Sequence, residues 1–140
     1  KTPTYAASMT TTPMANAARQ AFDMAQIERA NIDLVSIYDC YTITVLTSLE
    51  DAGFCEKGKG MEFVSSHDLT YRGDFPCNTH GGQLSFGQAG IAGGMSHVCD
   101  ATRQIQNRAG SNQVPEANRA FVSGNGGVMG EQVALILEGE

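Results

Sequence analysis

A layered α/β domain with a mixed sheet is the fold class this chain predicts, and three observations predict it. Apolar residues recur at helical spacing in three segments, a short β-branched run lies between the first two, and two β-rich runs joined by glycines close the chain. The resulting order, helix–strand–helix–loop–helix–strand–strand, buries its apolar faces as helices laid on a sheet. With 140 residues, 41% of them apolar, the chain can bury one core of ordinary size, so residues 1–140 are read as one domain.

Residues 13–27, PMANAARQAFDMAQI, carry Ala17, Ala18, Ala21, Phe22 and Ala25 at helical spacing, behind a Thr run that offers an N-cap and with Pro13 suited to a first turn. ANID breaks that helix. LVSIY at 34–38 is short and β-branched, the pattern of a buried strand. Residues 42–54 place Ile43, Leu46, Leu49 and Ala52 at helical intervals and stop at Gly53. Residues 56–76 are polar and Gly-bearing, a long excursion with room for a short strand at MEFV and a candidate for substrate or subunit contact. Residues 94–107 read as a helix whose core side is Met95, Val98, Ala101 and Ile105. RAGSNQVPEAN is a loop; RAFVS at 119–123 and EQVALILEG at 131–139 are strands, joined by GNGGVMG in an antiparallel turn region. The first dozen residues read as the tail of a preceding segment, so the chain is expected to be part of a longer protein.

Charge and cysteine usage narrow the function classes. A net charge of −6 with nine scattered Lys and Arg argues against a nucleic-acid partner. No run approaches the roughly 18 apolar residues that span a bilayer, and residues 1–12 lack a signal-peptide layout, so a soluble, cytoplasmic protein is expected. Cys40, Cys55, Cys77 and Cys99 form no CxxC pair and are read as free thiols. Cys77 and His80 with His97 and Cys99 can be drawn as a metal site, but ligands two apart diverge on a helix, and no metal is expected.

CNTHGGQLSFGQAGIAGG, residues 77–94, holds an Asn, a His and six glycines directly ahead of a helix. Glycines order at an entropic cost, so this density points to backbone that must approach a ligand or another chain closely. It is read as a site wall.

Three stretches in order, IDLVSIYDCYTITVLTSLEDAGFCEKGKG, NTHGGQLSFGQAGIAGG and FVSGNGGVMGEQVALIL, resemble the C-terminal half of the thiolase superfamily, in its lipid-transfer-protein-like branch of acyl-CoA acetyltransferases. The resemblance covers residues 14–138. It implies one of two similar α/β halves, with a mixed sheet of about four to five strands, and a nucleophilic cysteine in an N-terminal half that this sequence lacks. It further implies an acyl-CoA substrate, no permanently bound cofactor, and a homo-oligomer.

Three family motifs carry site residues across. Tyr38-Asp39-Cys40-Tyr41 stands where the family has Asn-Glu-Ala-Phe or His-Asp-Cys-Phe. Tyr38 there can donate a hydrogen bond or shuttle a proton, or simply pack at a strand end. Asp39 suits the cap of the following helix or neighbouring backbone N–H groups, and Cys40 suits an inert buried thiol better than a nucleophile. In the second motif Asn78, Gly81, Gly82 and Gly87 match, but Gln88 replaces the family's His and Ala89 its Pro. Gln88 can donate to an oxyanion but cannot take a proton. His80, eight residues earlier, either faces the same cavity or is an ordinary hydrogen-bonded loop histidine. In the third, Ser123 or Gly124 aligns with a proton-exchanging Cys, and Gly124 and Gly126 keep the glycine pattern.

Three functions are therefore expected in order: a thiolase-type acyl-CoA acyltransferase; an aldol-lyase acting on a CoA thioester with an OB-fold partner, a branch with Tyr at the Tyr38 place and a second Tyr at the Gln88 place; and a non-catalytic lipid-transfer or scaffold subunit. The chain by itself is expected to be inactive and to associate through an apolar face normally covered. Tyr38, Gln88 and Ser123 are expected to converge on one cavity.

Overall fold

A computed structural model describes residues 8–127 and 129–140. Residues 1–7, which hold most of the segment read as a preceding tail, lie outside the described residues, as does Val128 in the closing turn. The elements run α1 (Met14–Ala25), β1 (Leu34–Ser36), α2 (Thr42–Ala52), α3 (Gly60–Ser66), α4 (Gly82–Phe86), α5 (Gly93–Ile105), β2 (Arg119–Gly126) and β3 (Glu131–Glu138). The sheet is mixed, in the order β1-β2-β3, with β1 parallel and β3 antiparallel to β2. The fold class is α/β as expected, but among the described residues the sheet has three strands rather than four or five. A bridge from Val35 to Cys77 adds a single pairing beyond β1.

Alternation along the strands splits the core in two. Val35 and Phe121 face α1 and α2 with Met14, Ala18, Phe22 and Leu49. Leu34, Ala120 and Val122 face α5, packing with Ala101, Val114 and Ala117. The ring of Phe121 stacks on Phe22 at 5.7 Å and meets Phe54 edge-on at 5.2 Å. α1 and α2 are tied at their ends by Asp51, which accepts from the Thr12 amide and hydroxyl at 2.7 and 2.8 Å and pairs with Lys57 at 2.6 Å. Thr12 Oγ1 in turn accepts the Met14 N–H at 3.2 Å, as the expected Thr cap requires.

Three local expectations are corrected. MEFV lies inside α3, because Phe63 and Val64 pack on the first core while Met61 and Glu62 point outward, a helical rather than an alternating division. β1 ends at Ser36 rather than Tyr38, because the Asn78 side chain takes both backbone groups of Ile37, accepting its N–H at 2.7 Å and donating to its carbonyl at 2.9 Å. In α5 Val98, Ala101 and Ile105 pack on the second core as expected, but Met95 is exposed and the buried positions are Gly93, His97, Asp100, Ala101 and Gln104. The helix is turned so that a mostly polar stripe is buried, which a search for apolar periodicity cannot find. Among the described residues no helix is long and apolar enough to cross a membrane.

Candidate functional site

Beyond the C-terminal end of β1, Tyr38 reaches an open cleft of about 410 Å³ against the Gly124–Gly126 backbone, with Glu131 and Val133 of β3 opposite and Ile91 and Gly94 at its edge. Strand ends of this kind are where α/β sheets present ligand sites. The strand end is anchored on both sides of the tyrosine. The Tyr38 N–H donates to Ser123 Oγ at 2.9 Å, and its carbonyl accepts Thr44 Oγ1 at 3.2 Å. The phenol oxygen accepts Gln88 Nε2 at 3.1 Å, which leaves the phenol O–H free to donate elsewhere.

Of the residues singled out from the sequence, Tyr38 and Gln88 therefore meet directly. Ser123 joins them through its hydroxyl, but that group is 1% exposed and faces the Tyr38 backbone instead of the cleft. Gly124 and Gly126 line the cleft, and a Cβ at Gly124 would come within 2.6 Å of Val133 Cγ1, so a larger residue there would have to displace that side chain. Asn78 is spent on Ile37 and Gly81 is a left-handed N-terminal residue of α4 (φ +100°). Gly82 (φ +66°) lies where any Cβ would overlap the Asp39 carboxylate. Gly87 (φ +107°) ends α4 and turns the chain to Gln88.

Asp39 does bind backbone N–H groups, but at α4 and not at α2. Its Oδ1 accepts the Gln83 N–H at 2.8 Å and its Oδ2 the Leu84 N–H at 3.2 Å. α2 is started instead by a reciprocal cap between Tyr41 and Thr44.

His80 does not reach the Tyr38 cleft. Its ring lies edge-on to His97 at 5.2 Å and its Nδ1 sits 3.2 Å from Asp100 Oδ2, out of line for a hydrogen bond, so neither ring nitrogen is hydrogen-bonded. Asp100 is itself committed to the Thr79 hydroxyl at 2.9 Å, which also accepts Gln104 Nε2 at 2.8 Å.

The residue that sequence reasoning missed is His97. It is completely buried on α5, with Nδ1 2.9 Å from Ser36 Oγ and Nε2 3.3 Å from Asp39 Oδ1 and 3.2 Å from Gln83 Nε2. Burial, and then the neighbouring His80, push its pKa down to about 4, so the imidazole is neutral around pH 7. The available signal was its place with Ala101 and Gln104 at i, i+4 and i+7. Ser36, His97 and Asp39 are the residue types of a hydrolytic triad, but all three are buried and the serine bonds Nδ1, the nitrogen that such triads give to the acid. They form a structural relay.

Two of the four free thiols are held in the protonated form. Burial, with Asp39 nearby, pushes Cys77 up to about 12, and burial raises Cys55 as well. Cys40 Sγ accepts Asn125 Nδ2 at 3.5 Å beside the cleft. Among the described residues no group of three or more His, Cys, Asp or Glu is arranged to hold a metal ion.

The fold has relatives among known proteins. Residues 2–139 match the family described as thiolase C-terminal domain-like. The chain is 36% identical over 115 residues to an acetyl-CoA acetyltransferase of Methanothermobacter thermautotrophicus, covering 82% of this chain and 30% of that protein. It is 34% identical over 110 residues to a steroid side-chain-cleaving aldolase of Thermomonospora curvata, covering 79% of this chain and 27% of the relative. A solved structure of an Ltp2-ChsH2(DUF35) aldolase superposes with a TM-score of 0.83 at 29% identity, over 96% of this chain and 34% of that one. The chain thus spans about a third of the length of these relatives, and it belongs to the thiolase C-terminal domain-like family.

Proposed function

We propose that this chain is the C-terminal domain of an enzyme that makes or breaks a carbon–carbon bond beside a coenzyme A thioester, with cleavage of a β-hydroxyacyl thioester as its reaction. The observation that carries the reading is the 3.1 Å hydrogen bond from Gln88 to the phenol of Tyr38, a residue that lines a cleft with the Gly124–Gly126 segment. Retro-aldol cleavage needs a group that accepts a hydroxyl proton and donors where charge develops. Tyr38, as phenolate, takes the proton of the β-hydroxyl while the Cα–Cβ bond breaks. Its electron pair passes into the thioester enolate, the aldehyde or ketone departs, and the phenol returns its proton to the α-carbon. The Gln88 N–H already addresses the oxygen on which the negative charge starts. The aldolase relative and the aldolase structure support this direction.

Acyl transfer is the second reading, favoured by the acetyltransferase relative. It asks this half for a proton-exchanging side chain, and the two positions concerned hold a buried Ser123 hydroxyl and an amide, Gln88. The proton would then have to be carried by the N-terminal half, which in either reading completes the site and in the second supplies the nucleophile. Leu84 and Phe86 of α4, Ile91 in the turn before α5, Met95 of α5 and Val133 of β3 are large exposed apolar side chains, and Ile91 and Val133 line the cleft. We assign them to contact with that half; an OB-fold subunit and a homo-oligomer belong to the same proposal.

The complete protein decides between the readings. Incubated with a β-hydroxyacyl-CoA it releases an aldehyde or ketone and a shortened acyl-CoA, and incubated with a 3-oxoacyl-CoA plus free CoA it gives no thiolysis. Thiolysis without carbonyl release would replace the lyase by the acyltransferase, and silence in both assays would leave a non-catalytic lipid-transfer or scaffold role.

A further inference from the structure

We infer that His97 is a positioning residue for the Tyr38–Gln88 pair, acting as a neutral imidazole protonated at Nε2 that donates to Asp39 while its Nδ1 accepts the Ser36 hydroxyl. The expected effect on turnover rests on the function proposed above; the tautomer and the positioning do not.

The tautomer follows from the neighbours. Ser36 Oγ is fully buried and bonds only His97 among the described residues. If Nδ1 carried the proton, the serine would accept it and its own hydrogen would be left without an acceptor in the core, at a cost of about 1–3 kcal/mol. The Nε2 lone pair would also face the Asp39 carboxylate at 3.3 Å. With the proton on Nε2 both conflicts vanish: the hydroxyl donates to Nδ1 and the N–H faces a carboxylate oxygen. The Gln83 carboxamide fits this arrangement when its oxygen, not its nitrogen, lies 3.2 Å from Nε2. The two ends of an amide have the same shape, and the exchange moves the NH2 to the buried place where Gln83 Oε1 now has no partner, so one orphan group replaces another while the bond to Nε2 is kept.

The positioning follows from what Asp39 holds. One carboxylate receives His97 on one side and the first N–H groups of α4 on the other, those of Gln83 and Leu84. α4 leads directly through Gly87 to Gln88. Tyr38 lies between Ser36 and Asp39 in sequence, so the two residues gripped by His97 flank the phenol-bearing one, and the Tyr38 ring packs 5.8 Å from the imidazole. His97 therefore ties the strand end that carries the phenol to the loop that carries the amide.

Three measurements on the complete protein test this. With imidazole-15N histidine, and the His97 signals identified by their loss in His97→Phe, the NMR spectrum at neutral pH should show His97 Nε2 as the protonated nitrogen and Nδ1 as the bare one. In His97→Phe, hydrogen exchange across residues 82–86 should accelerate about tenfold or more, with β2 and β3 unchanged. His97→Gln, which keeps one donor for Asp39, should recover part of the protection. Turnover of the β-hydroxyacyl thioester by His97→Phe should fall about tenfold in kcat, with KM within about twofold. Protonation at Nδ1, or unchanged exchange at 82–86 in His97→Phe, would overturn the inference. A wild-type protein with the expected tautomer and exchange but no thioester turnover would remove the proposed function and leave the positioning role standing.

Discussion

The two faces of the sheet are built on different principles. Under α1 and α2 the filling is mainly apolar and aromatic: Met14, Phe22, Leu49 and Phe121 are all at most 4% exposed and belong to one cluster, and Thr44, Ser48 and Asp51 are the polar residues that α2 buries. Under α5 the same depth holds Ser36, Asp39, Gln83, His97 and Gln104, bonded to one another or to backbone. The first face is non-directional and tolerates small shifts. The second fixes angles, because a buried polar group that loses its partner is costly. The second leads to both Tyr38 and Gln88, while the first adds only the Thr44 hydroxyl on the Tyr38 carbonyl, so directional contacts are concentrated where geometry matters for chemistry.

The largest effect should come from breaking the apolar face. Phe121→Ala removes a ring stacked on Phe22 and edge-on to Phe54, and should destabilise by about 3–5 kcal/mol in denaturant unfolding. A cost below about 1 kcal/mol would mean that this face is not the principal core.

Acid probes the polar face next. Unfolded His97 titrates near 6.5 and folded His97 near 4, so between those values the unfolded chain binds the extra proton. His97 stability is thus complete above pH 6.5 and is lost as pH falls toward 4, by up to about 3 kcal/mol. His80 and Asp39 face the same imidazole, and Asp100 lies beside His80. His97→Gln should flatten the decline over that window, and an unchanged profile would show that another group controls it.

Asn78→Ala should cost about 2 kcal/mol, since it strips both backbone groups of Ile37 of their partners at once. The loss should spread to the Tyr38 strand end, seen as faster exchange of the Ile37 and Tyr38 amides. The smallest effect is expected at the surface: Asp23→Asn breaks only the exposed i,i+4 pair with Arg19 and should change stability by about 0.5 kcal/mol or less.

The apolar face was the legible one. Ala18 and Phe22 at helical spacing, the β-branched LVS run and the Gly53 stop all follow from local rules, and the structure places them accordingly. The polar face was not, because its partners are far apart in sequence. Ser36 meets His97 across 61 positions and Tyr38 meets Gln88 across 50. Family motifs brought Tyr38, Gln88 and Ser123 to attention, but no motif could say that the Ser123 hydroxyl would be turned inward to hold a backbone N–H. Asn78 and Gly82 were noticed as a ligand wall; they are required by Ile37 and Asp39 instead, contacts that no spacing rule contains. The short sheet was missed for the same reason, as the extended residues near Cys77 pair at one point only.

The central claim is that the Tyr38 phenol, steadied by Gln88, carries the proton of a thioester carbon–carbon cleavage. Tyr38→Phe in the complete protein keeps the ring and all backbone anchors while removing one oxygen. Carbonyl release from a β-hydroxyacyl-CoA should fall about a hundredfold or more, with unfolding free energy changed by about 1 kcal/mol or less. Release at the wild-type rate by a folded Tyr38→Phe protein would contradict the account.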